Sequence, residues 1–330
     1  MSVLLPAFNA AETLDACLRS IRRQTFTDFE CLVVDDGSTD DTVRIASRTA
    51  AIDSRFRLIR RPHRGIVESL NAGLDLVEGE FVARMDADDL MRRSRVAMQV
   101  KALEAQPGLW AVGGGVRLCP RRELQVRRRD YERWLNELAT PALIRRDAYV
   151  ECPVAHPTLM LRTAPLRTLR YRDTAWPEDY DLVLRALASG LEFGSVAARV
   201  LAWRDGPRRL SRVDARYGHD RFTACKAHYL ARGFLATAQE YVLWGYGATG
   251  KALRRALLTL GKSPSHIVEV KASRVGQRIH GAEVVRPEAL ARLRGRPVVV
   301  SVAFAGPRAE IRDRLARMAF VELRDFVCAA

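Results

Sequence analysis

Lysine is almost missing from this chain. Of its 54 basic residues, five are lysine (101, 226, 251, 262 and 271) and the other 49 are arginine. The excess of +15 is therefore carried by arginine and spread along the whole length. Aromatic residues are also sparse, at 7%. A nucleic-acid binder concentrates its positive charge in one patch with interleaved aromatics, so nucleic acid is not an expected partner. The charge instead suits an anionic substrate or peripheral contact with a negative membrane surface. The six cysteines (17, 31, 119, 152, 225 and 328) include no C-x-x-C pair. They read as reduced thiols, without a disulfide framework or a zinc site. No run approaches the ~18 apolar residues of a membrane-spanning helix. The opening stretch "MSVLLPAFNAAETL" has no basic n-region, and its apolar run is stopped at Pro6, so a cytoplasmic protein is expected.

What is present is an ordinary globular balance, 48% hydrophobic and 28% charged, in 330 residues, enough for two cores. Apolar strands alternate with helical patterns. "SVLLPAF" is a strand ending at Pro6, and "AAETLDACLRSIRRQ" a helix. "FECLVVDDGSTDDT" is a second strand that stops at Asp35-Asp36-Gly37, followed by the helix "DTVRIASRTAAI". "FRLIRRP" is a third strand, "GIVESLNAGLDLV" a third helix and "EFVARMDADD" a fourth strand. This order predicts βαβ units in a doubly wound, mostly parallel sheet, with continuous apolar strands covered on both faces.

Ligands of such sheets bind beyond the carboxyl ends of the strands. Pro6–Asn9, Asp35–Ser38, Arg60–Arg64 and Asp86–Asp89 all fall there, so four polar clusters are expected to line one crevice. Asp86 and Asp88 sit two apart on a segment leaving a strand, and Asp89 follows. Carboxylates so placed can share one hard divalent cation, Mn2+ or Mg2+, which keeps its other positions for water and phosphates. The competing reading is a solvated acidic turn.

Taken together, "VLLPAFNAAETL", "LVVDDGSTDDT" and "GEFVARMDADD" resemble the inverting family 2 glycosyltransferases of GT-A fold. The resemblance continues through "ECPVAHPTLMLR", "WPEDYDLVLRAL" and "LAWRDGPRRLSR" to about residue 213, similar to bacterial members acting on cell-surface polysaccharides. It implies a nucleotide-diphosphate sugar as donor and a saccharide or lipid-linked saccharide as acceptor. Donor-side candidates carried over are Pro6, Phe8, Asn9, Glu12, Asp35, Asp36 and Ser38. Arg64, Arg84, Asp86, His156 and Arg204 join them, and Asp86 and Asp88 are the metal candidates. Asp89 reads as an acceptor-side carboxylate or a turn cap.

Glu178 and Asp179 precede a helical pattern, "DLVLRAL". Carboxylates at a helix N-terminus are favoured by the macrodipole and can cap free N–H groups. The resemblance gives the Asp of this pair the role of general base, with Asp181 as the fallback. His156, before a Pro and an apolar strand, reads either as structural or as a contact to diphosphate or acceptor. The Arg-rich stretch 203–212 could close over a leaving group, since guanidinium forks suit phosphate oxygens. "VGGGVRLCPRR" is not a phosphate loop, because no helix with Lys-Ser/Thr follows, and a closely packed strand is expected.

A different pattern starts at 239. "EYVLWGYGATGKALRRALLTLG" is a strand, a G-x-G-x-x-G turn (Gly245, Gly247, Gly250) and a helix. "HIVEV" then brings Glu269, positioned to hold a ribose. This segment resembles the nucleotide-fold domains of bacterial sugar-modifying acetyltransferases and related Rossmann modules. With no hydride-transfer residue in view, a degenerate interaction or regulatory module is favoured over an NAD-type site. The expected domains are 1–205 (GT-A), 206–238 (basic helical connector) and 239–330 (Rossmann-like α/β). Residues 1–238 are expected to act on the donor by themselves.

The expected function is metal-dependent, inverting glycosyl transfer. A sugar-nucleotide nucleotidyltransferase would show a Gly-rich loop with Arg and Lys after the first strand, where "PAFNAAET" stands. A non-catalytic sugar-nucleotide sensor would not need Asp86, Asp88 and Asp179 together. Sugar, acceptor, anomer and oligomeric state are not legible in the sequence.

Overall fold

A computed structural model describes residues 1–207 and 209–330. Arg208, in the Arg-rich stretch singled out above, lies outside the described residues. The first elements are β1 (Ser2–Ala7), α1 (Ala11–Arg22), β2 (Glu30–Asp35), α2 (Thr42–Ile52), β3 (Phe56–Arg60), α3 (Ile66–Leu76) and β4 (Phe81–Arg84). Then come β5 (Leu90–Met91), α4 (Arg95–Ala105), β6 (Leu109–Cys119), α5 (Val126–Glu137), α6 (Pro141–Asp147), β7 (Met160–Arg162) and α7 (Thr163–Leu169). Helix α8 (Glu178–Ala188), β8 (Glu192–Arg204), α9 (Leu210–Val213) and α10 (His219–Arg232) follow. The chain ends with β9 (Glu240–Trp244), α11 (Ala248–Leu258), β10 (Ser263–Val268), β11 (Arg278–Ile279), β12 (Ala282–Val285), β13 (Val298–Val300), α12 (Ala305–Arg317) and β14 (Phe326–Cys328).

The chain forms two compact units. The first holds residues 1–144, 154–174 and 189–213, and the second residues 145–153, 175–188 and 214–330. These units do not follow the sequence boundaries at 205 and 238. Two short segments of the earlier chain, including all of α8, pack with the later one.

In the first unit the sheet order is β3-β2-β1-β4-β7-β6-β8-β5. The β3-β2-β1-β4 half is parallel throughout, and β7 runs antiparallel to β4 and β6. Helix α1 shows why these segments fold as they do. Leu14, Cys17, Leu18 and Ile21 recur at helical spacing and are all buried, while Arg19 and Arg22 sit in the last turn, where the helix dipole favours cations. Strand β1 runs one residue past Pro6, which pairs with Val34, so the expected strand end at Pro6 is corrected. The reason is directional. Leu4 faces β4, accepting from the Met85 amide, and Pro6 two residues on faces the same side, beyond the end of β4. The missing amide therefore breaks no ladder bond.

The second unit has a sheet of order β11-β12-β10-β9-β13-β14, parallel except at β11–β12. One face packs Leu253 and Leu257 of α11 against Leu243 and Ile267, with Leu230 of α10. The other packs Ile311 and Leu315 of α12 against Val242 and Val298. The expected α/β architecture, a mostly parallel sheet followed by a smaller second α/β unit, is the one that forms. Among the described residues, no helix is long and apolar enough to cross a membrane.

Candidate active site

Pro6, Phe8, Asn9, Glu12, Asp35, Asp36, Ser38, Arg64, Arg84, Asp86, Asp88, His156 and Arg204 all belong to the first unit. Glu178 and Asp179 belong to the second, as do Gly245, Gly247, Gly250 and Glu269.

The loops after β1 and β2 are laced together. Asn9, at φ 47°, donates its amide to Ser38 Oγ at 2.9 Å, and its Oδ1 accepts from the Thr39 amide at 2.9 Å. Asp40 Oδ2 takes the Ala11 amide at the start of α1. Asp35 is buried and accepts from the Ser38 amide at 3.3 Å. Asp36, equally hidden, faces the next loop instead: it accepts from the amides of Arg64 (3.0 Å) and Gly65 (2.8 Å) and pairs with His63 Nδ1 at 2.8 Å. Gly37, next in the chain, has φ +79°, and a Cβ there would lie 2.7 Å from the His63 amide nitrogen, so only glycine lets the loops meet. His63 in turn stacks on Phe8, rings 4.1 Å apart and 18° from parallel. Phe8 stays 45% exposed, which leaves an aromatic surface at this edge. Glu12 is exposed in the first turn of α1.

The acidic turn leaves β4 immediately after Arg84. Asp86, Asp88 and Asp89 each bring a carboxylate oxygen within 4.8 Å of the others. Arg84 is buried and donates from Nη2 to Asp86 Oδ1 at 2.6 Å. Burial pushes the Asp86 carboxyl up, but the Arg84 and Arg209 guanidiniums outweigh it and hold the group below its usual range. Asp88 is pushed up by burial and by the Asp86 charge, and Asp89, more deeply buried, is pushed well up by the same causes. Asp89 Oδ1 accepts from the Arg204 amide at 2.8 Å, tying the turn to the end of β8. Among the described residues nothing satisfies its buried Oδ2. A cluster that crowds three carboxylates at the mouth of a sheet fits a divalent cation, which would relieve the repulsion the turn now carries.

Two further buried residues feel the charges of this turn. His156 is buried, with Nε2 2.9 Å from the Tyr171 hydroxyl, and burial followed by the Arg84 charge holds its pKa well below the ordinary value. Arg95, the first residue of α4, is fully buried. It donates to Pro157 O (2.7 Å), Arg84 O (2.9 Å) and Leu159 O (3.3 Å), and its Nε reaches Gln99 Oε1 at 2.9 Å. Burial lowers its pKa to about 9. In the sequence it is one arginine among 49, and no spacing distinguishes it. In the Arg-rich stretch, Arg209 covers the Trp203 ring at 4.6 Å, while Asp205 binds Arg128 and Arg212 at 3.0 and 2.7 Å.

In the second unit, the first turn of α8 carries Glu178, Asp179 and Asp181. Glu178 is 2% exposed and accepts from the Tyr217 hydroxyl at 2.6 Å. Asp181 is 1% exposed and accepts from Tyr229 Oη (2.7 Å), Trp176 Nε1 (3.0 Å) and Arg185 Nε (2.9 Å). Asp179 accepts from the Tyr180 amide at 2.7 Å and, unlike the other two, is partly open to solvent.

The family model for "Glycosyl transferase family 2" matches residues 2–170, just over half of the chain. The chain belongs to that family. EpsE of Bacillus subtilis, a protein named as a glycosyltransferase, is 33% identical over 196 residues, 58% of this chain and 67% of EpsE. An uncharacterized glycosyltransferase of Haemophilus influenzae is 29% identical over 187 residues, covering 54% of this chain and 58% of its own length. Among solved structures, S. aureus TarS residues 1–349 with UDP-GlcNAc is similar at TM-score 0.56 and 19% identity, over 78% of this chain and 71% of that one. The mannosyltransferase PcManGT of Pyrobaculum calidifontis with GDP-Man and Mn2+ reaches 0.50 at 21% identity, over 97% and 80%. These likenesses show the fold, which is the GT-A type.

Proposed function

We propose that this protein transfers a sugar from a nucleoside-diphosphate donor to a hydroxyl of a saccharide or lipid-linked saccharide, with inversion at the anomeric carbon. The observation that carries this reading is the acidic turn, where Asp86 is kept ionised by Arg84 and Arg209 beside two further carboxylates. Phe8 stacked on His63 offers an aromatic surface for a nucleobase, and the Asn9–Ser38 pair, laced across two strand ends, is assigned to the ribose beside it. Asp86 and Asp88 would hold Mn2+ or Mg2+, which supplies charge stabilisation for a departing diphosphate. Asp179 takes the proton of the attacking hydroxyl as the new bond forms. Of the three carboxylates in its turn, it is the one partly open to solvent. The reaction class fits cell-surface polysaccharide or glycoconjugate synthesis on the cytoplasmic side of a membrane.

The test is Asp88→Ala, assayed against UDP- and GDP-sugars with and without Mn2+. The expected outcome is a folded protein whose Mn2+-dependent diphosphate binding, measured by calorimetry, is lost together with turnover. Unchanged affinity and turnover would remove the metal assignment.

A further inference from the structure

The sheet of the second unit has a place where its winding reverses. From β9 the chain crosses to β10 through α11, which covers one face, and from β13 to β14 through α12, which covers the other. Strands β9 and β13 are neighbours, so a crevice is expected between their carboxyl ends, the place where open α/β sheets accept ligands. The turn leaving β9 is Gly245-Tyr246-Gly247, with Gly247 at the N-cap of α11.

Each of its glycines has a different reason to be there. Gly245 has φ +96°, and a Cβ on it would meet Val302 Cγ2 at 2.5 Å and Ser301 O at 3.0 Å. Gly250 packs so tightly that a Cβ would lie 2.1 Å from Gly245 O. Gly247, with φ −79°, meets nothing within 4 Å. Two glycines therefore close the turn, and the third leaves open space in front of a helix N-terminus. The unpaired amides of a first helical turn, with the helix dipole behind them, form an anion site.

A second feature lies at the same first turn of α11. Ser301 directly follows β13, is 3% exposed, and donates its amide to Trp244 O at 2.8 Å. Its hydroxyl lies 3.7 Å from the Cβ position of Gly250, and among the described residues it has no hydrogen-bond partner. A hydroxyl buried without a partner costs free energy unless something arrives to meet it. Lys251, one residue past Gly250, places its ammonium 5.7 Å from the Tyr246 ring centre, and residues 239–330 carry 16 basic and 8 acidic side chains. Glu269, one strand over at the end of β10, accepts from the Val270 amide at 3.0 Å and pairs with Arg274 at 3.3 Å.

We propose that this crevice binds the phosphate chain of a nucleotide, in a site separate from the acidic turn of the first unit. The amides of Ala248 and Thr249 and the Ser301 hydroxyl receive phosphate oxygens, and Lys251 supplies the countercharge. The sheet edge beyond β10, with Glu269, receives the ribose. A dinucleotide and a nucleoside diphosphate share this chemistry, and the binding experiment separates them.

The full chain is titrated in EDTA, which removes the divalent ions the first unit would use. Separate arms hold NAD+, ADP-ribose, UDP, GDP and inorganic pyrophosphate, read by calorimetry and by ligand-induced shifts in melting temperature. At least one nucleotide is expected to bind ten-fold or more tightly than pyrophosphate. Tighter binding of NAD+ and ADP-ribose identifies a dinucleotide, and tighter binding of UDP or GDP a nucleoside diphosphate. Gly247→Asp should abolish that binding without lowering the apo melting temperature. Its side chain has room, Asp is a favoured N-cap, and its carboxylate repels phosphate. Ser301→Ala should weaken binding several-fold while leaving the apo protein no less stable, because the lost hydroxyl had no partner. No binding by any nucleotide at millimolar concentration overturns the proposal. So does pyrophosphate binding as tightly as every nucleotide, or binding that survives Gly247→Asp in a folded protein.

Discussion

The Tyr229 hydroxyl donates a 2.7 Å hydrogen bond to Asp181 Oδ1, the same oxygen that Trp176 Nε1 reaches at 3.0 Å. With Arg185 on Oδ2, Asp181 accepts three side-chain hydrogen bonds while buried. Its work is to fix the first turn of α8 against α10, and the general-base role proposed above goes to its neighbour Asp179.

That assignment separates two substitutions of the same kind. Asp179→Asn should leave stability within about 1 kcal/mol, because Asp179 is partly open to solvent and Asn keeps the oxygen that accepts from the Tyr180 amide. Turnover should fall ~10² or more with donor affinity kept, the signature of a lost general base. Asp181→Asn should instead cost about 3 kcal/mol in denaturant unfolding, because it strips a buried guanidinium of its carboxylate. If Asp179→Asn turned over donor within a few-fold of the parent, Asp179 would be a cap and no more.

The aromatic pair at the other strand ends is tested through affinity. Removing the Phe8 ring should cost the interaction with a stacked base, about 0.5–1.5 kcal/mol, or up to ~10-fold in KM. Phe8 is 45% exposed, so Phe8→Ala should fold normally and keep kcat within about two-fold. A fall in kcat with KM unchanged would place the ring at the reacting end of the donor instead.

Most of the fold was legible because its strands are continuous apolar runs, each cut by a polar turn. The carboxyl-end clusters follow from that pattern alone. The jobs of individual side chains did not. Asp35 and Asp36 are adjacent and chemically alike, yet one serves its own turn and the other holds the Arg64–Gly65 loop, 28 and 29 residues away. Arg95 reaches Pro157 across 62 positions, and nothing local marks it. His63 was visible as a member of a polar cluster, but its stack on Phe8 is a tertiary fact. The same holds for α8. Its sequence carries part of the resemblance drawn from the residues, while its first-turn carboxylates are held by residues 214–232.

His156 gives a pH test. Its buried imidazole is held neutral by desolvation and by the Arg84 charge; Asp86 pulls weakly the other way, and Tyr171 is the hydrogen-bond partner. The folded pKa is therefore depressed below the unfolded value near 6.5. Above that value both states are neutral, and the site contributes its full stability. As pH falls below about 6.5 the unfolded chain takes up a proton that the folded chain refuses, so stability falls, by up to ~1.4 kcal/mol per pH unit. Urea unfolding at pH 7, 6 and 5 should show this slope in the parent and a shallower one in His156→Asn. Identical slopes would mean that the ring charges freely in the folded protein.

The last prediction concerns the chain beyond 238. Sequence patterning marks residues 1–238 as self-sufficient, since every proposed donor and catalytic residue lies within them. The packing of the second unit points the other way. Helix α10 and the turn after it send Ala227, Leu230 and Leu235 into one core with Leu243, Leu253 and Val327. Lys226 Nζ bridges Val150 O at 3.0 Å and Ala329 O at 2.7 Å, and Arg312 pairs with Asp147 at 2.5 Å. Cutting at 238 would expose Leu230 and Leu235, each fully buried and each worth about 1.5–3 kcal/mol. It would also leave Asp147 without Arg312. Because Tyr217 and Tyr229 hold Glu178 and Asp181, a loosened α10 would release the turn that carries Asp179. The fragment 1–238 is therefore expected to be insoluble, or to melt ~10 °C or more below the full chain with turnover reduced at least ten-fold. The measurement is thermal unfolding of both chains by circular dichroism, beside a donor-turnover assay. A fragment that melts with the full chain and keeps its turnover would show that α8 stands without the later strands.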